Sequence, residues 1–218
     1  MIIEDAQTAF EIAKLYQPKV KQNLHGVYDL ICPINLGEFV PTVKPSAYFS
    51  AQNDSNYIYI LYCFFHWKDW SSSNFNPLRQ LDSHQYDFEG VMLFIDRFDH
   101  IQKYIATICH WDIIFKETSS NIVSIEAEGH GIRPGSEDFF NCQLIEDFDE
   151  LVNIDAPHVK QWLTTTVSPI FNKNGVKMPW QWNDSKLEKK HGRHQTEGLI
   201  YKDPSKFLEL AKETLLGE

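Results

Sequence analysis

The amino-acid sequence predicts a mainly β protein, an antiparallel β-sandwich with a helix at each end. Two stretches, 57–67 and 88–96, are apolar on both alternating faces, the pattern of strands buried on both sides. Long strand-like runs then follow one another across short turns, which forces neighbouring strands to be antiparallel. Helical spacing of apolar residues marks the two termini. The chain has 218 residues, 43% of them hydrophobic and 14% aromatic. That suits one domain, 1–218, with a full-sized core, and excludes a disordered chain. No internal repeat or linker interrupts it.

In order, residues 4–17 set Ala6, Phe10, Ala13 and Tyr16 near helical spacing ahead of Pro18, predicting an amphipathic helix packed on the sheet. Residues 19–56 carry Pro33, Pro41 and Pro45 among short apolar runs such as 27–32, and read as edge strands and loops. A central strand over 57–67 ends at His66, Lys68 and Asp69, and the Ser- and Asn-rich stretch 70–83 is a loop. The strand from Phe88 closes on a tight connection, Asp96 to Asp99. Residues 100–116 alternate as one long strand, and 121–128 put Val123, Ile125 and Ala127 on one face. Pro134-Gly135-Ser136 breaks the pattern. Beyond it, 157–165 reads as a short helix, 175–182 as a strand or loop, and 204–216 as a C-terminal helix with Asp203 as N-cap and Pro204 at its first position.

A net charge of −10 argues against nucleic acid and anionic lipid, both of which demand a basic footprint. The one basic run, 186–194, reads as a solvated loop or helix end. No stretch approaches the ~20 apolar residues of a membrane span. Cys32, Cys63, Cys109 and Cys142 are widely spread with no CxxC, and Cys63 and Cys109 fall inside aromatic strands as small core hydrophobes. The N-terminus has acids where a signal peptide has bases. These features predict a cytoplasmic protein with reduced thiols, or a secreted one if a leader has been removed.

At the mouth of the strand that starts at Phe88 sit an imidazole and two carboxylates: His84, Asp87 and Glu89. Asp87 and Glu89 are two apart, so in extended backbone they share a side. Two ionised carboxylates about 5 Å apart repel by roughly 3 kcal/mol at an effective dielectric near 20. A cation, a shared proton or an arginine would neutralise them. Arginine is scarce here, Arg97 lying at the far end of the strand and Arg79 in the preceding loop. His84 would face away in strict strand geometry and is expected to enter from that loop. The group reads first as a metal site. The plainer alternative is a set of turn caps, or pairs with Lys68 and Arg79.

His84-x-x-Asp87-Phe88-Glu89 at the head of an apolar strand resembles the heptapeptide Gly-His-Arg-His-Asp-Trp-Glu of the necrosis-inducing cytolysin-like proteins. The segment Phe64 to Asp69 is similar to that family's Trp-Tyr-Phe-Pro-Lys-Asp, Gly129-His130-Gly131 to its later His-Gly segment, and Pro179 to Asp184 more weakly to its Pro-Phe-Asn-Asp stretch. The resemblance covers roughly residues 57–131. Ser83, Tyr86 and Phe88 depart from the motif, and the loop from Asp69 to His84 is longer than the family's. The resemblance implies a divalent cation held by Asp69, His84, Asp87 and Glu89. Three carboxylates and one imidazole without a thiolate suit Mg²⁺ or Ca²⁺, with Mn²⁺ or Zn²⁺ compatible.

A second polar group, His110, Asp112, Glu126, Glu128 and His130, lies on the next two strands. It could supply further ligands, groups that orient a metal-bound His, or a general acid and base, with His130, Glu128 and His110 the catalytic candidates. An ordinary solvated sheet face is the alternative. His66 could line the same mouth. Trp67, Trp70, Trp111, Trp180 and Trp182 fall beside strand ends and loops, where aromatics suit stacking on a carbohydrate or lipid head group, or simply cover the core. Trp67, Trp70 and His130 are the ligand-binding candidates. No nucleophile elbow, P-loop or dinucleotide fingerprint appears. The reading favoured is a metal-anchored binding module for a carbohydrate or lipid head group. The alternatives are a metal-dependent hydrolase, in which a cation activates water and His130 or Glu128 handles protons, and a protein with a purely structural metal site.

Overall fold

The computed structural model describes residues 2–33, 45–70, 84–109, 112–154 and 197–216. The expected helix 157–165, the strand or loop 175–182, Trp111, Trp180, Trp182, Arg79 and the basic run 186–194 lie outside these residues.

Helix α1 (Ala6–Leu15) starts where Asp5 accepts the Thr8 N–H at 2.7 Å, and it buries Ala9, Ile12 and Ala13. That N-cap satisfies a backbone donor that no helical carbonyl can reach. Strands β1 (Lys19–Asn23), β2 (Ser46–Asn53), β3 (Tyr57–Asp69), β4 (His84–Asp96), β5 (Gln102–Cys109) and β6 (Asp112–Glu117) follow. Then come β7 (Ile122–Ile125), β8 (Ile132–Pro134), β9 (Cys142–Ile145) and β10 (Glu150–Asn153). Helices α2 (Glu197–Lys202) and α3 (Pro204–Leu216) come last, with Asp203 accepting the Lys206 N–H at 3.2 Å as the expected cap. Among the described residues the strands form two sheets, ordered β10-β2-β3-β4-β5-β6 and β8-β7-β1-β9.

Alternation along β3 and β4 builds two cores on opposite faces of the larger sheet. Ile58, Ile60, Tyr62 and Phe64, with Val91, Leu93 and Ile95, face inward to meet Val20, Val123, Ile125 and Ile132 of the smaller sheet. Tyr59, Leu61, Cys63, Phe65, Phe88, Met92 and Phe94 face the other way and are covered by Ile200, Tyr201, Phe207 and Leu208 of α2 and α3. Both faces are dry, which is why these two strands read as continuous apolar runs. Burying such side chains is the main favourable term in folding, about 1.5–3 kcal/mol each.

The mainly β sandwich with terminal helices is as expected, but several details differ. The sheets are mixed: β1 runs parallel to β7, and β10 parallel to β2. These partners lie about a hundred residues apart in the chain, so the short-turn logic that forces antiparallel neighbours does not apply. For the same reason residues 19–23 form an internal strand between β7 and β9, not an edge. Residues 27–29 form a short 3₁₀ turn rather than a strand, and Ile31 then makes a single antiparallel bridge to His66. The run 100–116 is two strands, with Thr107 paired to Ile114 and Cys109 to Asp112. Ile113, Ile114 and Phe115 are apolar in succession, so the alternation does not report the reversal. The strand expected over 121–128 stops at Ile125, because residues 126–131 turn back, with the Glu126 N–H donating to the Gly131 carbonyl at 3.1 Å. His84 opens β4, opposite Asp69, instead of entering from the loop.

Candidate functional site

At one end of the sandwich the inward face of the larger sheet changes from apolar to polar. His66 and Asp87 are paired across β3 and β4, and Phe64 and Glu89 form the next inward-facing pair toward the core. Asp87 and Glu89 therefore share a face, as their spacing requires. Against Asp87 comes the turn 126–131 from the smaller sheet. Glu128 and His130 both adopt left-handed backbone, at φ 71° and 52°. Such conformations are uncommon outside glycine and concentrate at functional sites. Gly131 allows the turn to pack: a Cβ there would lie 2.5 Å from Glu126 Oε1 and 2.8 Å from Cys109 Sγ.

His130 is fully buried between two carboxylates. Its Nδ1 lies 2.8 Å from Asp87 Oδ2, and its Nε2 lies 3.3 Å from Asp29 Oδ1, an ion-pair separation without hydrogen-bond alignment. Burial pushes the imidazole pKa down, but contact with Asp29 and Asp87 outweighs it and holds His130 at about 9. The ring is thus a cation at neutral pH. The counter-charge that Asp87 requires is an imidazolium from a distant turn, not one of the three candidates weighed from the sequence. His66 stacks on His130 with ring centroids 3.8 Å apart and planes 8° apart. Burial, and then the charge of His130, push His66 down to about 3, so it stays neutral. Its Nδ1 donates to the Asp29 carbonyl at 3.1 Å.

Asp29 organises the whole cluster, although it is completely buried. Its Oδ2 accepts the backbone N–H groups of His25 and Gly26, at 2.7 and 2.9 Å. Its Oδ1 accepts the Trp70 indole N–H and the Glu128 backbone N–H, both at 2.8 Å. Burial raises its pKa, yet the His130 imidazole and the Glu128 and His25 N–H groups overturn that and hold it at about 2. A carboxylate with this many donors is stable as an anion even where no water reaches it. Sequence reasoning missed Asp29. The available signal was a lone acid inside the apolar run 27–32, just after a glycine.

Above the buried charges lies a rim of partly exposed side chains. Trp70 and Tyr28 meet edge-on at 6.2 Å, Lys68 Nζ lies 5.7 Å from the Tyr28 ring centre, and His25 Nδ1 lies 3.0 Å from Glu128 Oε1. Trp67 is elsewhere, packed against the outer cluster beneath α2 and α3. Asp69 sits at the end of β3 opposite the His84 backbone, and the His84 side chain and all of His110 lie outside the described residues. Among the described residues no three His, Cys, Asp or Glu side chains gather as metal ligands. Asp87 Oδ2 is instead engaged by His130. The donors described do not make a cation cage by themselves.

The fold is a β-sandwich with a polar cluster at one end. No protein-family model matches the chain, and no curated protein does. Solved structures do. NLPPya in complex with glucosamine superposes with a TM-score of 0.57 at 14% identity, over 86% of this chain and 91% of that one. NLPPya in complex with mannosamine gives 0.54 at 14%, over the same shares. A structure described as a toxin fold as basis for microbial attack and plant defense gives 0.55 at 12%, over 88% and 92%. The chain has the fold of these necrosis- and ethylene-inducing-type proteins, at low sequence identity.

Proposed function

We propose that this chain is a binding module for a carbohydrate, free or as the head group of a lipid, and that it works without turnover. The ligand rests on the rim of Trp70, Tyr28, His25 and Glu128. The observation that carries this reading is the state of His130: fully buried, with both ring nitrogens facing carboxylates. A group held in that way shapes a site rather than shuttling protons to a solvent-borne substrate, because a general acid or base must reach the reacting atom. Aromatic faces beside polar groups are the usual means of holding a sugar ring, the face stacking on C–H groups and the polar atoms taking the hydroxyls. The two NLPPya structures hold amino sugars in the same fold, which supports the class of ligand. The test is titration with glucosamine, mannosamine and glucose, followed by vesicles bearing a glycosylated head group. Saturable binding that Trp70→Ala removes is the expected result. Turnover on a glycoside or ester panel, lost on Glu128→Gln, would replace this reading with the hydrolase.

The motif at the strand mouth raises a second element. Asp69 lies opposite His84, and Asp87 shares a face with Glu89, at the same strand ends. We propose that a divalent cation, Mg²⁺ or Ca²⁺, joins the site through Asp69, His84, Asp87 and Glu89. Elemental analysis of the purified protein tests it, with metal absent and no chelator effect on melting as the outcome against it.

A further inference from the structure

We infer that Asp29 and Gly26 are positioning residues that seat the Trp70 ring as the platform of the site; this rests on the carbohydrate-binding reading. Trp70 follows the last residue of β3, where a side chain would ordinarily be free to swing. Two contacts stop it. The indole N–H donates to Asp29 Oδ1 at 2.8 Å, and the backbone N–H donates to the Glu128 carbonyl at 3.2 Å. The six-membered edge of the ring lies against Gly26: a Cβ there would stand 2.9 Å from Trp70 Cζ2 and 3.1 Å from Cη2. Gly26 has ordinary extended backbone, φ −165° and ψ −179°, so its role is space and not conformation.

Asp29 draws the same rim together from three directions. Its Oδ2 holds the His25 and Gly26 N–H groups, and its Oδ1 holds Trp70 and the Glu128 N–H, so ring, imidazole and carboxylate are fixed to one buried anion. The indole's only donor is used inward. What Trp70 offers a ligand is therefore its ring face and not a hydrogen bond, which suits the C–H side of a sugar ring. A rigid platform binds better than a mobile one, because the rotamer entropy has already been lost on folding.

The test uses the full chain, with glucosamine as the probe and the Gly26 α-proton resonance as a second readout. Ring current from the adjoining Trp70 edge displaces that proton from its ordinary resonance position in the wild type. Gly26→Ala displaces the ring without touching Asp29, Trp70→Phe keeps an aromatic ring but removes the indole donor, and Asp29→Asn changes the anchor itself. The expected result is an affinity about three- to tenfold weaker in Gly26→Ala and Trp70→Phe, with circular dichroism unchanged. The Gly26 resonance should also relax toward its ordinary position in Trp70→Phe. If Asp29→Asn does not fold, those two variants carry the test. An unshifted Gly26 proton in the wild type overturns the inference, and so does a relaxed resonance with undiminished affinity. A wild type that binds none of the sugars overturns the binding reading and the platform role with it. A shifted Gly26 proton in that protein would show that the failure lies in the binding reading, not in the seating of the ring.

Discussion

Asp29 is the residue whose loss should be felt most. Replacing it with Ala would leave the His130 imidazolium buried with one carboxylate fewer, and four N–H donors would lose their acceptor. Breaking one side of a buried charge cluster costs about 3–5 kcal/mol. For a chain of this size each 1 kcal/mol lowers the melting temperature by about 2–4 °C, so Asp29→Ala should melt about 6–20 °C lower. Calorimetry checks this, and a fall of only a degree or two would mean that the cluster is not coupled to the fold. The two histidines predict the pH profile. His130 sits above its ordinary 6.5, at about 9, so its contribution is full below pH 6.5 and lost as pH rises toward 9. His66 sits at about 3, and the unfolded imidazole takes up a proton that the folded one refuses, so stability falls as pH drops from 6.5 toward 3. Asp29, at about 2, adds a further loss as pH falls below 3.8. Urea denaturation across this range should give a maximum near pH 6.5, and His130→Asn should remove the alkaline limb.

At the scale of elements, the turn 126–131 and helix α3 carry separable jobs. Gly131→Ala would force a methyl into Glu126 and Cys109, an overpacking that costs about 1–3 kcal/mol and moves the turn carrying Glu128 and His130. Chemical denaturation should show that loss, with weaker glucosamine binding if the turn shapes the site. Helix α3 closes the outer face of the larger sheet, where Phe207 packs against Phe94 and Phe115 at ring separations of 6.3 and 5.7 Å. Phe207→Ala should cost about 3–5 kcal/mol and increase binding of a hydrophobic dye, while leaving the rim around Trp70 unchanged. Loss of sugar binding in that variant, with the fold retained, would show that the two faces of the sheet are coupled.

At the scale of the molecule, the question is whether a cation shares the site with the imidazolium. A ligand that binds only the folded state stabilises it by about 2.7 kcal/mol at a hundredfold excess over Kd. On the cation reading, chelator should lower the melting temperature by several degrees, and Asp87→Asn should abolish most of that difference. An Asp87 whose charge is met by His130 alone predicts no chelator effect, and a loss of stability on Asp87→Asn with or without metal. Paired melting curves of both proteins separate the two. Among the described residues no helix is long and apolar enough to cross a membrane. On the binding-module reading, the rim makes the contact with head-group vesicles.

Sandwich class, the two central strands and both terminal helices were legible in the sequence because they rest on local periodicity. A strand buried on both faces must be apolar throughout, and helix ends need caps and proline stops within a few residues. The acids at the strand mouth were legible for a related reason, since two charges at the entrance to an apolar run require compensation. What compensates them was not legible. Asp29, His66, Asp87 and His130 come from four places in the chain, and no spacing records that a turn near residue 130 folds back onto a 3₁₀ turn near residue 29. The mixed sheet order was hidden in the same way, because β1 meets β7 and β9 across about a hundred residues. Only the tertiary structure decided that Asp87 faces an imidazolium and that Trp70 is fastened by an acid 41 residues away. Charge compensation depends on distance in space, and the chain carries distance only along itself.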